Sequence, residues 1–184
     1  FDAAALREAA DFCHTNGVKL YLTVNTLVFD TEWAVLDELL QTAAAVGMDA
    51  CIVQDLGVAD YIHQRIPEMP LHASTQMTIC SPSGAIWAKE HGFSRVVVAR
   101  EMTRSEIQAV CAIGLEVEQF VHGALCMCIS GQCYLSALIG ARSANRGCCA
   151  QACRLPFTAA KNPQAAALSL NCLLYTSPSP RDGA

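Results

Sequence analysis

Asn16-Gly17-Val18-Lys19-Leu20-Tyr21-Leu22-Thr23-Val24 reads as a helix stop followed at once by a strand. Upstream, Leu6, Ala9, Ala10 and Cys13 recur on one helical face, and Asn-Gly is a C-cap pair. Downstream the same grammar returns. A helix over 31–46 runs into Gly47 and a strand over 49–54, one over 82–91 into Gly92 and 95–99, and one over 104–113 into Gly114 and 115–121. A further strand, 71–74, follows a short helix over 58–66. Thr103 and Glu106 form a capping-box pair that opens the fourth long helix. Strands that each arrive after a helix specify parallel βαβ crossovers. Their runs of Val, Ile and Leu predict a sheet covered on both faces. The spacing favours a (β/α) barrel over an open sheet, and because eight units take ~250 residues, about five units predict a partial TIM-like barrel.

The rest of the composition narrows the class. The chain has 184 residues, 53% hydrophobic and 16% charged, which is packable and not disordered. Apolar stretches are interrupted well before ~18 residues, so no membrane-spanning segment is expected, and Phe1-Asp2-Ala3 opens no secretory leader. The sequence does not begin with Met, so a removed signal stays open. A formal charge of −5 argues against general nucleic-acid coating. Gly-x-Gly-x-x-Gly after a strand and the P-loop pattern are both absent, which removes the main support for dinucleotide or nucleoside-triphosphate binding.

Parallel α/β folds keep their working groups past the carboxyl ends of the strands. Those ends read Asn25-Thr26, Gln54-Asp55, Ser74-Thr75-Gln76, Arg100-Glu101 and His122. Asn25, Gln54, Asp55, Ser74 and Gln76 are candidates for binding substrate, and Arg100, Glu101, His122 and Glu118 for catalysis. The competing reading for Asp55 and Thr75 is that they cap the next helix. His72 alternates with apolar neighbours and is expected to be a packed core histidine; His14, His63 and His91 belong to helix surfaces.

Eleven cysteines are the unusual feature of the composition. Cys13, Cys51, Cys80 and Cys111 are scattered among apolar residues and read as small buried hydrophobes. Cys126, Cys128, Cys133, Cys148, Cys149 and Cys153 instead put six thiols into 28 residues, among Gly and Arg. Without a secretory leader, clustered thiols read as metal or iron–sulfur ligands before disulfides.

The segment Glu118-Gln119-Phe120-Val121-His122-Gly123-Ala124-Leu125-Cys126, continued by Gly131-Gln132-Cys133-Tyr134-Leu135-Ser136, resembles the signature of the collagenase-like peptidase family U32. Arg142, Asn145, Arg146, Gly147, Cys149 and Gln151 are similar to that family's next stretch, and Gln54-Asp55-Leu56-Gly57, His72-Ala73-Ser74-Thr75-Gln76 and Arg100-Glu101 to its strand-end motifs. The resemblance covers roughly residues 1 to 170. It implies a barrel-like domain, and a [4Fe-4S] cluster as in relatives that hydroxylate RNA bases or a quinone precursor without oxygen. Carried over by position, the ligands are Cys126, Cys133 and Cys149, with the fourth further downstream; Cys153 is a weaker fourth candidate.

This divides the chain into an incomplete barrel over 1–122, a Cys/Arg-rich cluster segment over 123–157, the start of a truncated downstream region over 158–170, and a Pro/Ser tail over 171–184 that resembles translated cloning sequence. A missing downstream domain of the same chain is expected. Charge divides with it, because residues 1–117 hold 7 Lys+Arg against 15 Asp+Glu, while 118–154 hold three Arg against Glu118 alone. Arg142 and Arg146 could fork onto phosphate of an RNA substrate or onto a small acidic co-substrate, or pair with acidic groups of the barrel. No aromatic-interleaved basic stripe supports RNA binding by this segment alone.

Three functions follow. The first is a cytoplasmic enzyme of RNA modification. The second is the hydrolase of the family's name, cutting collagen-like peptides by a thiol, for instance Cys126 with His122, or by a metal-activated water. No His-Glu-x-x-His or Gly-x-Ser-x-Gly supports a more familiar hydrolase. The third is a zinc-stabilised, non-enzymatic scaffold for peptide or RNA.

Overall fold

The computed structural model describes residues 2–123, 126–155 and 157. The chain forms two compact units, Phe1–Gln119 and a second beginning at Phe120.

Helices and strands alternate through the first unit as α1 (Ala3–Thr15), β1 (Tyr21–Val24), α2 (Trp33–Ala45), β2 (Ala50–Val53), α3 (Leu56–Arg65), β3 (Leu71–Ala73), α4 (Pro82–Glu90), β4 (Phe93–Val97), α5 (Arg104–Cys111) and β5 (Glu116–Glu118). Helix starts are chemically marked. Asp2 caps α1, Asp55 caps α3, Ser81 caps α4 ahead of Pro82, and Thr103 with Glu106 closes the expected capping box on α5. At the other end of α1, Gly17 takes φ +69°, a left-handed turn that sends the chain straight into β1.

The five strands are all parallel and lie in the order β1-β2-β3-β4-β5. That order decides the architecture. Crossovers of one hand between successive neighbours put every helix on the same side of the sheet, which is the arrangement of a partial (β/α) barrel rather than a doubly wound sheet.

The core lies between sheet and helices. Val24, Cys51, Val53, Leu71, Ala73, Val96, Val98 and Leu115 pack against Leu6, Leu36, Leu40, Val58, Ile62, Ala88 and Val110. The expectation of a sheet covered on both faces is corrected. Register aligns Thr23, Ile52, His72, Arg95 and Glu116 across the opposite face, flanked by Tyr21 and Glu118. Thr23 and Glu116 there are exposed and Ile52 is half-buried. Polar residues alternate with the aliphatic ones along β1, β3 and β5, so that face is the less apolar of the two and the helices take the other.

Two of the four scattered thiols also differ from expectation. Cys51 is fully buried and Cys13 half-buried, but Cys80 and Cys111 are exposed. Cys80 sits in the loop just before the Ser81 cap, and Cys111 follows Val110, the residue that α5 turns into the core.

Among its described residues the second unit holds one short helix, α6 (Leu135–Gly140), and single turns at Ala144–Arg146 and Ala152–Arg154. Residues 158–170 and the tail 171–184 lie outside the described residues.

Candidate functional site

The strand ends of the first unit carry the expected polar side chains, and most are tied to one another. Asp55 Oδ1 accepts the N–H groups of Gly57 (2.8 Å) and Val58 (3.2 Å), while Oδ2 accepts that of Val28 (3.2 Å). Asp55 therefore caps α3 and braces the loop after β1. Ser74, buried, accepts the Gln76 N–H at 3.2 Å. Gln76 Nε2 donates to the Asn25 carbonyl at 2.9 Å, and Thr75 Oγ1 to the Val98 carbonyl at 3.2 Å. These bonds stitch the loops after β1, β3 and β4 into one rim. Gln54 is the exception, because its Oε1 is buried without a hydrogen-bond partner. Arg100 and Glu101 are exposed in the turn after β4.

Beneath this rim lies a polar network that the strand-end rule passes over. Arg95, mid-strand in β4, donates to Glu116 Oε1 at 2.7 Å and to Glu118 Oε2 at 3.2 Å. It also meets the Tyr21 hydroxyl at 3.4 Å, with its guanidinium over that ring. Tyr21 in turn meets the His72 ring edge-on at 4.8 Å between centroids. The guanidinium holds the Glu116 carboxyl below the ordinary carboxylate range, so the acid is ionised at neutral pH. Burial, with Arg95 beside it, pulls His72 below the usual histidine value, so its ring is neutral there. The histidine is packed, as expected, but on the helix-free face among charges, and its Nδ1 has no partner. Alternation along β3 to β5 is the signal that would have found this row.

His122 is displaced from its expected place at a strand end. The fifth strand ends at Glu118, whose carbonyl accepts the Val98 N–H. His122 thus lies four residues past β5, exposed, in the second unit. Among the described residues no hydrogen bond joins it to Cys126, so the thiol–imidazole pair of a cysteine hydrolase is not assembled.

In the second unit the thiols gather. All ten cysteines of the described residues are free. Cys128 lies within electrostatic reach of Cys133 and Cys126, and Cys153 within reach of Cys126 and Cys149; burial first, then these neighbours, raise both thiols above the ordinary value. Cys128 S–H donates to the Gln132 carbonyl at 3.4 Å. Cys149 is treated differently. Its sulfur accepts from Gln151 N–H at 3.4 Å and from the Ser136 hydroxyl at 4.0 Å, while Ser136 Oγ accepts from Ala150 N–H at 3.0 Å. Gln151 makes its contact from a left-handed conformation, φ +54°, a strain of about 1–2 kcal/mol for a residue with a Cβ. Gly147 at φ +75° turns the chain into Cys148-Cys149. Arg142 is exposed after α6, and Arg146 is half-buried in the turn before Gly147.

Soft sulfur donors without carboxylate neighbours suit an iron–sulfur cluster or zinc in their chemistry. They are not preassembled, since among the described residues no three His, Cys, Asp or Glu side chains form a group that could hold a metal ion.

The sequence model of peptidase family U32 matches residues 1–177. The chain belongs to this family. Among its U32 relatives, the 23S rRNA 5-hydroxycytidine C2501 synthase of Escherichia coli is 42% identical over 83% of this chain and 23% of its own length. A protein named collagenase, from Porphyromonas gingivalis, is 35% identical over 86% of this chain and 40% of its own. The solved U32 peptidase Mk0906 superposes with a TM-score of 0.54 at 15% identity, covering 65% of this chain and 52% of that one, which shows the shared fold. The chain thus spans 23% and 40% of the lengths of these two curated relatives. Such names describe enzymes of more than one reaction type. No helix among the described residues is long and apolar enough to cross a membrane.

Proposed function

We propose that this chain is part of a cytoplasmic U32 enzyme that hydroxylates a cytidine in RNA, with a [4Fe-4S] cluster held by Cys126, Cys133 and Cys149. The observation that carries the reading is the 42% identity, over 83% of the chain, to a protein named for making 5-hydroxycytidine in rRNA. The gathering of free thiols supports the ligand set, with Cys149 already receiving donors from Ser136 and Gln151. Cys153, within reach of Cys126 and Cys149, is available as a fourth thiolate. Bound there, a cluster supplies one-electron redox chemistry, which the side chains of this sequence do not. Cys128, donating to a backbone carbonyl, stands outside the set.

The chain's own residues do the rest. The rim formed by Asn25, Asp55, Ser74 and Gln76 sets the shape of the strand-end surface, and Arg142 and Arg146 bring positive charge suited to phosphate. The relative named collagenase keeps peptide hydrolysis as the second reading. Purified without oxygen, the protein should be brown and contain iron and sulfide, and RNA isolated from cells lacking it should lose one oxygen atom's mass at a cytidine. Colourless protein with stoichiometric zinc, or gelatin cleavage blocked by a thiol alkylator, would overturn the proposal.

A further inference from the structure

Cys128 stands in the midst of the proposed ligands but outside their set. It lies between Cys126 and Cys133 in sequence, within electrostatic reach of both, and its thiol shares a hydrogen bond with that of Cys133. Chain geometry accounts for the closeness. Residues 129–132 fold back as a turn closed by the bond from Gln132 N–H to the Ile129 carbonyl at 3.1 Å, with Gly131 left-handed at φ +75°. Ser130, inside the turn, is fully buried. Cys128 and Cys133 therefore flank the turn, and Cys128 S–H reaches the Gln132 carbonyl at 3.4 Å, one peptide unit before Cys133. Both thiols are half-buried and free. Cys153, by contrast, meets Cys126 and Cys149 through charge alone, and the Cys149 sulfur accepts from Gln151 N–H and the Ser136 hydroxyl. Among these thiols, Cys128 and Cys133 are the pair already in contact.

We infer that Cys128 and Cys133 form a redox-active dithiol, closed into a disulfide by a small-molecule disulfide such as oxidised glutathione and reopened by thiols. The thiolate of one cysteine attacks a sulfur of the oxidant and displaces one glutathione thiolate, leaving a mixed disulfide. The other cysteine, having released its proton to water, attacks the protein sulfur of that mixed disulfide and displaces the second glutathione thiolate. Two protein thiols are oxidised, one disulfide is reduced, and the two protons end on the two glutathione thiols. The turn holds the second thiol beside the first, so the second step is intramolecular over a short loop and costs little closure entropy. Bridging and metal binding are exclusive uses of Cys133, because only the thiolate is a ligand. Closing the bridge therefore withdraws one sulfur from the proposed cluster site, and opening it returns one. That consequence rests on the iron–sulfur reading, whereas the dithiol stands on the turn.

The test uses the full chain, reduced and freed of metal by a chelator. Oxidised glutathione is added, the remaining thiols are blocked with a maleimide, and the bridge is located by mass spectrometry of the digested protein. Cys128 and Cys133 should be joined and unlabelled, and dithiothreitol should restore both thiols. Cys128→Ser should instead retain glutathione on Cys133, because no neighbouring thiol displaces it. A main product that links another pair, glutathione persisting on Cys133 of the parent protein, or no bridge at all would overturn the inference. Iron and sulfide offered to the bridged protein should be taken up only after reduction. Full uptake by the bridged protein, or none by the reduced one, counts against the cluster and its ligand set and leaves the dithiol standing.

Discussion

The two units are built on opposite principles. In the first, Leu40, Ile62, Val53, Val58 and Val96 are completely buried between sheet and helices, and parallel ladders satisfy the backbone between them. In the second, the buried side chains among the described residues are Ser130, Ser136, Asn145 and Ala152, while Tyr134, Leu138, Ile139 and Leu155 are exposed. Apolar burial holds the barrel piece together. The cysteine segment is held by turns, by left-handed residues and by bonds such as that from Ala150 N–H to Ser136. Under the proposed cluster, a segment with so little apolar burial would gain much of its order from the metal its thiols hold, because metal binding and folding are coupled in such modules.

The largest expected effect separates the thiols of the two units. Burial pushes the Cys51 thiol up to about 12, so it stays protonated among the aliphatic side chains of the core. Cys133→Ser should therefore abolish bound iron, whereas Cys51→Ser should keep the full complement and lower only the stability of the barrel unit. Iron and sulfide assays on both variants check this. Equal losses would erase the distinction between core and ligand cysteines.

The next effect is energetic and contrasts two leucines. Leu40 is fully buried in α2, and truncating it to Ala should cost roughly 2–5 kcal/mol through lost burial and the cavity left behind. Leu138 in α6 is 83% exposed, so Leu138→Ala should change stability by less than about 0.5 kcal/mol. Chemical denaturation of each variant, read at constant m-value, measures both. A cost above 2 kcal/mol for Leu138→Ala would mean that this side chain is covered, and that the second unit has an apolar contact of its own.

The same contrast explains what was legible beforehand. The alternation of helix, glycine and strand is written locally, in Asn16-Gly17, Gly47, Gly92 and Gly114, so all five strands and their helices could be placed within a few residues. Asp55 was legible as a helix cap because Asx chemistry at a strand end is also local, whereas the cap expected at Thr75 falls to Ser74, one residue earlier. The row of Tyr21, His72, Arg95 and Glu116 was harder to read, since alternation marks each member only within its own strand, and successive members, 21 to 51 positions apart, meet only through register. His122 was misplaced for the same reason. Where a strand stops depends on pairing with its neighbour, and β5 stops at Glu118, inside an apolar run that continues to Val121. The cysteine segment could be read as a site from spacing and resemblance, but the donors onto Cys149 come from Ser136 and Gln151 through turns that no periodicity encodes.

The smallest expected effect tests a tie between α1 and the start of β2. Asp49 Oδ2 accepts from Leu20 N–H at 2.7 Å and sits 3.0 Å from His14 Nε2. The backbone donor first, then His14, holds the Asp49 carboxyl below its ordinary value. A carboxyl depressed in the folded state binds its proton more weakly there than in the unfolded chain. Its contribution is therefore present above the unfolded value and lost as pH falls through the folded one, so the window opens below about pH 4. Asp49 is 27% exposed at its side chain, and screening keeps the effect modest. Asp49→Asn should thus be less stable than the parent protein at pH 7, with the gap closing as both are titrated toward pH 2. A gap that stays constant across that range would assign the loss to the altered hydrogen bond at Leu20 rather than to the charge.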